Sequence, residues 1–585
     1  MTRIAIIKKD KCFPTKCNEL CKGLCPVNRA GKECILIGKT AKIEESLCVG
    51  CGICPLRCPY QAISIVNLPE KLEEQMHRFG ENSFELYSLP LVKQNTVVGV
   101  IGRNGIGKTT ALNILAGVVK PNLGNYKNPP DEKEIIAKFS KKWIGTYFTK
   151  LFANKMKISY KPQRVELLKE MFNDTVKDLL KRVDEREQFD VLVEELELTN
   201  ILSRSIKDLS GGELQRVAIA ACMLKRAEVY YFDEPASFLD ISHRIKIAKL
   251  IRKLAEENVS IIVIEHDLAT LDYISDEIQI VYGKPACYGI FSQSKAVRRG
   301  INEYLDGFLP DENIRFRDYS IKYAHTVRES ATIKQLAFEI PTLIKKFKDF
   351  SLEVKPGRLH KQEILTIVGA NGLGKSTFLK LLAKELKSET GEVPEIKISY
   401  KPQSLEAEDK KVVDYLQDIA GNEYDSGWYK QNILEKLNIN DILNNNMSEL
   451  SGGELQKVLV AGCLSKEADL FLIDEPSAFI DVEDRLAIAE VIRDFIQKNE
   501  TTAIIVDHDI QFIDYISDSI LVFEGIPGKE GNVYWSKNKE EGMNRVLKFL
   551  DITYRQDKET HRPRINKPGS QLDSEQRKSG KYYYK

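Results

Sequence analysis

The chain has 585 residues, 43% of them hydrophobic and 29% charged, the composition of a globular protein with several independently packed domains. Its 86 basic and 85 acidic residues leave a net charge of +1, so no chain-wide field selects a partner, and no apolar run approaches the ~18 residues of a membrane span. The amino-terminal MTRIAIIKKDKC has neither an apolar stretch nor a small-residue cleavage site, which argues against secretion and for a reducing, cytoplasmic compartment.

Charge is uneven beneath that balance. Residues 1–66 carry 11 basic against 5 acidic side chains, residues 120–157 carry 9 against 3, and the tail 555–585 carries 9 against 4. Three basic regions on a neutral chain suggest a polyanionic partner. Solvated faces and a disordered tail are the plainer account of any one of them.

The first element in chain order is a cysteine module. Cys12, Cys17, Cys21 and Cys25 form C-x4-C-x3-C-x3-C-P, and Cys48, Cys51, Cys54 and Cys58 form C-x2-C-x2-C-x3-C-P. The second run has the bacterial-ferredoxin spacing for a pair of [4Fe–4S] clusters. Zinc is the alternative, but it favours paired C-x2-C ligands over four evenly spaced cysteines ending in Cys-Pro. By analogy with two-cluster ferredoxins, the fourth cysteine of each run crosses over. Cys48, Cys51, Cys54 and Cys25 then hold one cluster, and Cys12, Cys17, Cys21 and Cys58 the other. Cys34 lies outside both runs and has no assigned role. Cys222, Cys287 and Cys463 read as small core residues.

The rest of the chain is a duplication with one insertion. GRNGIGKT (Gly102 to Thr109) recurs as GANGLGKS (Gly369 to Ser376) at an offset of 267, whereas YKPQ, LSGGELQ, DEP and HD recur at offsets of 240 to 242. The first copy therefore carries about 27 extra residues, roughly Asn125 to Lys155. Within them Ile136, Phe139, Trp143, Tyr147 and Leu151 recur at helical spacing among Lys138, Lys141, Lys142 and Lys150. This predicts a basic amphipathic helical hairpin projecting from the first lobe; a helix packed only on its own domain is the alternative.

Each copy alternates apolar strands with helices. TVVGVIG, EVYYFDEP and SIIVIEHD read as buried strands and GKTTALNILAG as a helix, the pattern of a parallel α/β sheet with its site at the strand ends. Asp306 to Tyr319 and Leu550 to Arg564 resemble each other and suggest paired hinge elements. The expected division is a ferredoxin-like domain over 1–75, a first nucleotide-binding domain over 76–300 with its insert at about 125–155, a hinge over 301–325, a second nucleotide-binding domain over 326–546, and a hinge with a basic tail over 547–585.

Both Gly-rich loops match G-x4-G-K-[ST] in full. Gly102, Arg103, Asn104, Gly105, Ile106, Gly107, Lys108, Thr109 and Thr110 would wrap one triphosphate with backbone N–H groups and a helix N-terminus. Gly369, Ala370, Asn371, Gly372, Leu373, Gly374, Lys375, Ser376 and Thr377 would wrap the other. Lys108 and Lys375 would reach the β- and γ-phosphates, and Thr109 and Ser376 would ligate Mg²⁺. Asp233 and Asp474 end apolar strands and suit the Mg²⁺ shell. Glu234 and Glu475 would polarise the attacking water, and His266 and His508 would hydrogen-bond the γ-phosphate.

LSGGELQRV, with Ser210, Gly211, Gly212 and Glu213, and LSGGELQKV, with Ser451, Gly452, Gly453 and Glu454, resemble the ABC ATPase signature. Gln163 and Gln403 resemble Q-loop residues, which also approach the Mg²⁺. Asp240 and Asp481 resemble D-loop aspartates, and the two histidines H-switches. The resemblance implies two lobes packed head to tail, with each ATP between one Gly-rich loop and the opposite signature. Site I would pair Lys108, Thr109, Gln163, Asp233, Glu234 and His266 with Ser451 and Gly453. Site II would pair Lys375, Ser376, Gln403, Asp474, Glu475 and His508 with Ser210 and Gly212. An aromatic ring usually stacks on adenine upstream of the first loop; Phe79, Phe84 and Tyr87 are candidates, with Tyr87 preferred.

The whole chain resembles ABC subfamily E, the RNase L inhibitor family of ribosome-recycling ATPases. That resemblance implies a monomer with an internal pseudo-dimer that binds the ribosome, especially the small subunit and its rRNA, beside a release factor or its stalled-ribosome relative. ATP-driven closure of twin sites would move the Fe–S domain, split the ribosome and leave the protein on the small subunit. The first-lobe insert would correspond to the family's helix–loop–helix, which contacts that subunit. The alternative function is an ATP-gated Fe–S electron-transfer enzyme, against which stands the lack of a flavin or nicotinamide fingerprint.

Overall fold

The computed structural model describes residues 3–67, 75–323 and 335–584; the boundary expected at 325–326 and Lys585 lie outside them. The chain forms two compact units. The first comprises 1–235, 251–266 and 275–319, and the second 236–250, 267–274 and 320–585.

The first unit begins with the cysteine module. Strands Arg3–Ile7 and Ile63–Asn67 pair antiparallel, as do Ile35–Ile37 and Ala41–Ile43. Short helices Leu20–Leu24, Pro26–Arg29 and Ile53–Arg57 carry or follow the cysteines. The apolar core is small, with Ala5, Ile7, Ile35, Ala41, Ile43 and Ile63 packed around Cys21, Cys25, Cys34 and Cys54. So few aliphatic side chains leave a module of this size short of core, a deficit that metal ligation by the cysteines would make good.

Among the described residues, nine strands form the sheet of the first lobe. Its parallel centre runs Ile158–Lys161, Val229–Asp233, Ser260–Ile264, Val97–Ile101 and Glu277–Lys284. Val97–Ile101, Val229–Asp233 and Ser260–Ile264 are buried at every position, as parallel strands covered on both faces must be. Helix Lys108–Leu115 leaves from Gly107, whose φ of 90° no bulky residue adopts readily. A Cβ at Gly107 would lie 2.6 Å from the ring of Phe84, so that ring packs directly beneath the loop.

The insert forms helices Glu132–Lys138 and Trp143–Phe152. The first is opened by a capping box between Asp131 and Glu134. Ile135, Phe139, Ile144, Tyr147 and Phe148 are buried in the lobe's core cluster, and the Tyr147 hydroxyl donates to the Leu115 carbonyl at 2.6 Å. Lys138, Lys141, Lys142 and Lys150 are exposed. The hairpin is thus seated on its lobe by one face and carries its charge on the other. The buried stripe differs from the expected one in including Ile135, Ile144 and Phe148. The chain reverses between Phe139 and Trp143, so one helical period cannot run through both segments, and Trp143 is left 37% exposed.

The second unit holds an eight-stranded sheet with the same parallel centre: Ile398–Lys401, Leu470–Asp474, Thr502–Val506, Ile364–Val368 and Ser519–Ile526. Here too the loop glycine Gly374 has φ 90° and stacks on a phenylalanine, Phe350. Residues 236–250 and 267–274, which precede and follow strand 260–264 in sequence, belong to this unit. Asp272 accepts two hydrogen bonds from Arg564, at 2.7 and 2.9 Å, and lies 3.3 Å from the fully buried Arg562.

Both expected hinge elements are two-stranded hairpins: Phe308–Leu309 with Ile314–Arg315, and Tyr554–Gln556 with Pro563–Ile565. The basic tail is folded rather than loose. Helix Gln571–Ser579 is capped by Ser570, and the hydroxyls of Tyr583 and Tyr584 both bond Asp514.

If the insert is anchored chiefly by its buried aromatic face, Phe148→Ala will cost about 3–5 kcal/mol locally. Hydrogen–deuterium exchange should then accelerate across 132–152 while strand 97–101 keeps its protection. Unchanged exchange in the insert would refute this account of its anchoring.

Candidate functional site

In each lobe the chemistry-bearing residues collect at the C-terminal ends of the parallel strands. The Gly-rich loop follows the central strand. Asp233 and Asp474 end their strands, Gln163 and Gln403 follow theirs by two residues, and His266 and His508 follow theirs by two.

The lysines of the loops are folded onto the loop itself. Lys108 Nζ donates to the carbonyls of Gly102 (2.9 Å) and Arg103 (2.7 Å), and Lys375 Nζ to those of Gly369 and Ala370 (both 2.8 Å). Burial lowers Lys375 to about 8 against the opposing charges of Asp240, Glu475 and Asp474. Backbone carbonyls are weak partners for a buried ammonium, and phosphate oxygens would replace them favourably.

Adjacent carboxylates are driven in opposite directions. Burial, then the charge of Glu234, raises Asp233 to about 6, and burial with Glu475 raises Asp474 to the same value. Burial also works against ionisation of the glutamates, but their histidine partners overcome it. Glu475 falls to about 2 through the hydrogen bond and charge of His508, aided by Lys375 and Gln403; Glu234 is likewise held far below the carboxylate range by His266. The histidine Nε2 atoms lie 3.4 and 3.5 Å from these carboxylates, and Gln403 and Gln163 each donate to them at 2.8 Å. Each glutamate also has positive φ, 48° at Glu234 and 49° at Glu475, a repeated strain that aims the side chain.

Asp233 Oδ1 and Asp474 Oδ1 are buried acceptors with no hydrogen-bond partner among the described residues. Ser376 Oγ donates to the other oxygen of Asp474 at 2.9 Å, while Thr109, beside Asp233, donates to Gln163 Oε1 at 3.4 Å. A buried orphan oxygen beside a hydroxyl, at the same atom in both lobes, is a donor set that a hard divalent cation fits.

Four residues of the site were not singled out from the sequence. Lys161 Nζ donates to the backbone carbonyls of Asp233 (2.8 Å) and Glu234 (3.2 Å), and Lys401 Nζ to that of Asp474 (2.9 Å). Gln215 donates to the carbonyls of Glu234 and Pro235, and Gln456 to that of Glu475. They hold the strained turn that presents the glutamate. Their signal was present in both copies, as the lysine of YKPQ and the glutamine of GGELQ.

Ser210 and Ser451 cap helices Gly211–Leu224 and Gly452–Leu464 through capping boxes with Glu213 and Glu454. Each D-loop aspartate accepts the N–H three residues on: Asp240 Oδ1 that of His243 at 2.9 Å, and Asp481 Oδ1 that of Asp484 at 3.1 Å. Asp240 Oδ2 also accepts the Asn371 N–H of the second Gly-rich loop at 2.8 Å, and its Oδ1 lies 2.8 Å from His243 Nδ1. The Asp484 carboxylate pairs with Lys457 at 2.9 Å. Among the aromatic candidates, Tyr87 is 5% exposed and bonds Glu85, Phe84 packs under Gly107, and Phe79 is 57% exposed.

The cysteines line two small cavities. One is lined by Cys25, Cys34, Cys48, Cys51 and Cys54, and the other by Cys12, Cys17, Cys21 and Cys58. Both walls are otherwise largely apolar. Burial and neighbouring cysteine charges push Cys54 to about 12, and burial pushes Cys21 to about 11, so thiolates need a cation within the cavity. Backbone N–H groups already point at sulfur: Ala41 donates to Cys12 at 3.2 Å and Ala62 to Cys58 at 3.3 Å. Among the described residues no group of three or more His, Cys, Asp or Glu side chains is gathered to hold a single metal ion. Nor, among them, is any helix long and apolar enough to cross a membrane.

Twin P-loop lobes with strand-end Asp–Glu pairs and capped signature helices, behind a cysteine module, define a two-lobed ABC ATPase with an iron–sulfur domain. Comparison with known proteins agrees. The family model described as ABC transporter matches residues 90–237 and 347–478, and that of a possible Fer4-like domain in RNase L inhibitor matches 2–33. An uncharacterized ABC transporter ATP-binding protein of Methanocaldococcus jannaschii is 47% identical over all of this chain and 97% of its own. Translation initiation factor RLI1 of Saccharomyces cerevisiae is 42% identical over all of this chain and 98% of its own. A solved structure of ribosome-bound archaeal Pelota and ABCE1 contains a chain 48% identical, with a TM-score of 0.93, covering 100% of this chain and 99% of that one. The chain belongs to the RNase L inhibitor family, ABC subfamily E.

The glutamate–histidine pairs give a test. In a Glu234→Gln background, where site II alone reports, His508→Asn removes the imidazole beside the carboxylate and leaves the burial. Glu475 then holds its proton to higher pH. The acid limb of ATP hydrolysis should move upward and kcat should fall by on the order of 10²-fold. A limb that stays in place would mean that Glu475 does not govern it.

Proposed function

We propose that this protein splits ribosomes into subunits with the energy of ATP and then remains on the small subunit. The observation that carries this reading is likeness over the whole chain, cysteine module and insert included, to a translation factor and to a ribosome-bound protein. A second solved structure, of archaeal ribosomal stalk protein aP1 with archaeal ribosome recycling factor aABCE1, is 46% identical with a TM-score of 0.85, over 88% of this chain and all of that one. The chain is an ATPase. It acts in the cytoplasm on ribosomes, beside a release factor or its stalled-ribosome relative. The electron-transfer alternative finds no support in these likenesses.

The geometry supports finer assignments. Ionised Glu234 and Glu475 accept the proton of the attacking water, and His266 and His508 keep them ionised while facing the γ-phosphate. Gln163 and Gln403 bridge glutamate and phosphate. Asp233 with Thr109, and Asp474 with Ser376, would hold Mg²⁺, which neutralises phosphate charge when bound. Each signature helix would offer its capped N-terminus to a γ-phosphate. Of the aromatic candidates, exposure favours Phe79 over Tyr87 as the ring that adenine meets.

The two cysteine cavities support two [4Fe–4S] clusters, with Cys25 and Cys58 crossing over. A tetrahedral zinc would draw four sulfurs to about 3.8 Å of one another. Cysteines spread around a cavity, with N–H donors on their sulfurs, suit a polynuclear cluster better. The exposed lysines of the insert would meet rRNA phosphates.

Replacing both catalytic glutamates, Glu234→Gln with Glu475→Gln, should reduce ATP hydrolysis by at least about 10²-fold and leave ATP binding intact. In sucrose gradients the double variant should then comigrate with small subunits only when ATP is present. The wild type with ATP and a termination factor should convert whole ribosomes to subunits. Sedimentation independent of ATP, or whole ribosomes left intact, would overturn the proposal.

A further inference from the structure

The first cysteine cavity has one thiol more than a cubane needs. Four sulfurs ligate a [4Fe–4S] cluster, yet Cys34 lines this wall together with Cys25, Cys48, Cys51 and Cys54. It is fixed there. Cys34 is 1% exposed and leads directly into strand Ile35–Ile37. Its N–H donates to the Lys32 carbonyl at 3.0 Å and its carbonyl accepts the Glu44 N–H at 2.8 Å. Its thiol donates to the Glu44 carbonyl across a long 3.8 Å and shares the cavity wall with the sulfurs of Cys25 and Cys48, close enough to interact with both.

We propose that Cys34 is a resident donor of this cavity: it ligates no iron, and its S–H hydrogen-bonds the ligand sulfurs of Cys25 and Cys48. This rests on the iron–sulfur reading of the cavity. Ligand thiolates are stronger acceptors than a neutral carbonyl 3.8 Å away, so the thiol turns toward them by rotation about one bond. In the other cavity the backbone N–H groups of Ala41 and Ala62 perform that service for Cys12 and Cys58. Donation withdraws electron density from the thiolates and makes the cluster harder to oxidise. A cluster that is harder to oxidise survives oxidants longer.

The full-length protein, purified without oxygen, tests this with three variants. Cys34→Ala removes donor and bulk, Cys34→Val restores bulk alone, and Cys34→Ser restores a donor. Iron and acid-labile sulfide per chain are measured first, then the rate at which ferricyanide bleaches the visible absorption. All three variants should match the wild type in iron and sulfide. Cys34→Ala and Cys34→Val should bleach about half of the absorption several-fold faster, and Cys34→Ser should approach the wild-type rate. Loss of half the iron in Cys34→Ala would make Cys34 a ligand and overturn the proposal. So would equal rates throughout, a Cys34→Val rate like wild type (bulk, not donation), or a Cys34→Ser rate like Cys34→Ala. Wild-type protein without iron and sulfide would instead remove the iron–sulfur reading itself.

Discussion

Two carboxylates consecutive in sequence, buried at the end of a parallel strand, are the constraint on which each lobe depends. Two neighbouring negative charges cannot both be ionised cheaply away from water. The fold separates their fates. The aspartate is left with an orphan oxygen and a raised proton affinity, ready for a cation. The glutamate is turned by a strained backbone toward a histidine that keeps it ionised. A buried lysine from the neighbouring strand clamps the carbonyls of the turn, and burial lowers both Lys161 and Lys401 to about 8. The result is a pair of carboxylates adjacent in sequence and driven apart in proton affinity, which is what the proposed roles toward water and metal require.

Duplication reproduces this arrangement almost atom for atom, which makes the departures informative. His243 and Asp484 occupy equivalent places after the D-loop aspartates. An imidazole can bond the aspartate side chain directly, and Asp240 is drawn far below the carboxylate range against the penalty of burial. It then binds a backbone N–H of the second Gly-rich loop, where a phosphate oxygen would otherwise be received. A second carboxylate cannot serve Asp481 in that way, and Asp484 turns to Lys457 instead. The neighbour of the D-loop aspartate is thus an imidazole in one copy and a carboxylate in the other.

Much of the site was legible because its chemistry obeys sequence-local rules. A Gly-rich loop needs glycines at fixed intervals, a capped helix needs serine three residues before glutamate, and a strand end is visible as the last residue of an apolar run. Repetition then raised each motif above chance. What stayed hidden depends on contacts between distant segments. Nothing local to YKPQ says that its lysine reaches the carbonyls of Asp233 and Glu234. Cys34 could not be placed because a hairpin between Ile35 and Ile43 folds it against cysteines far along the chain. The insert was legible as helical, but its buried face was misphased because a turn interrupts the period. The tail, basic and polar, gave no sign that Tyr583 and Tyr584 would be tied to Asp514.

The cysteine module matters mechanically only if it is held firmly, and the first unit has a specific fastening. Asn82, 2% exposed, exchanges two hydrogen bonds with the backbone of Ile43, both at 3.0 Å, and its carbonyl accepts the Ile7 N–H at 2.9 Å. Glu45 accepts the Ala5 N–H at 2.9 Å and a guanidinium nitrogen of Arg78 at 2.9 and 3.1 Å. Arg78 lies also 3.2 Å from the fully buried Glu85, which follows Phe84, the ring packed under Gly107 of the phosphate loop. One short hairpin thus touches the cysteine module on one side and the nucleotide loop on the other. Polar contacts with such strict directionality resist sliding better than apolar ones, since a shift of an ångström breaks several bonds at once. A module with so small a core, pinned through Glu45, Asn82 and Arg78, would follow a displacement of the first lobe rather than absorb it, as the proposed function requires.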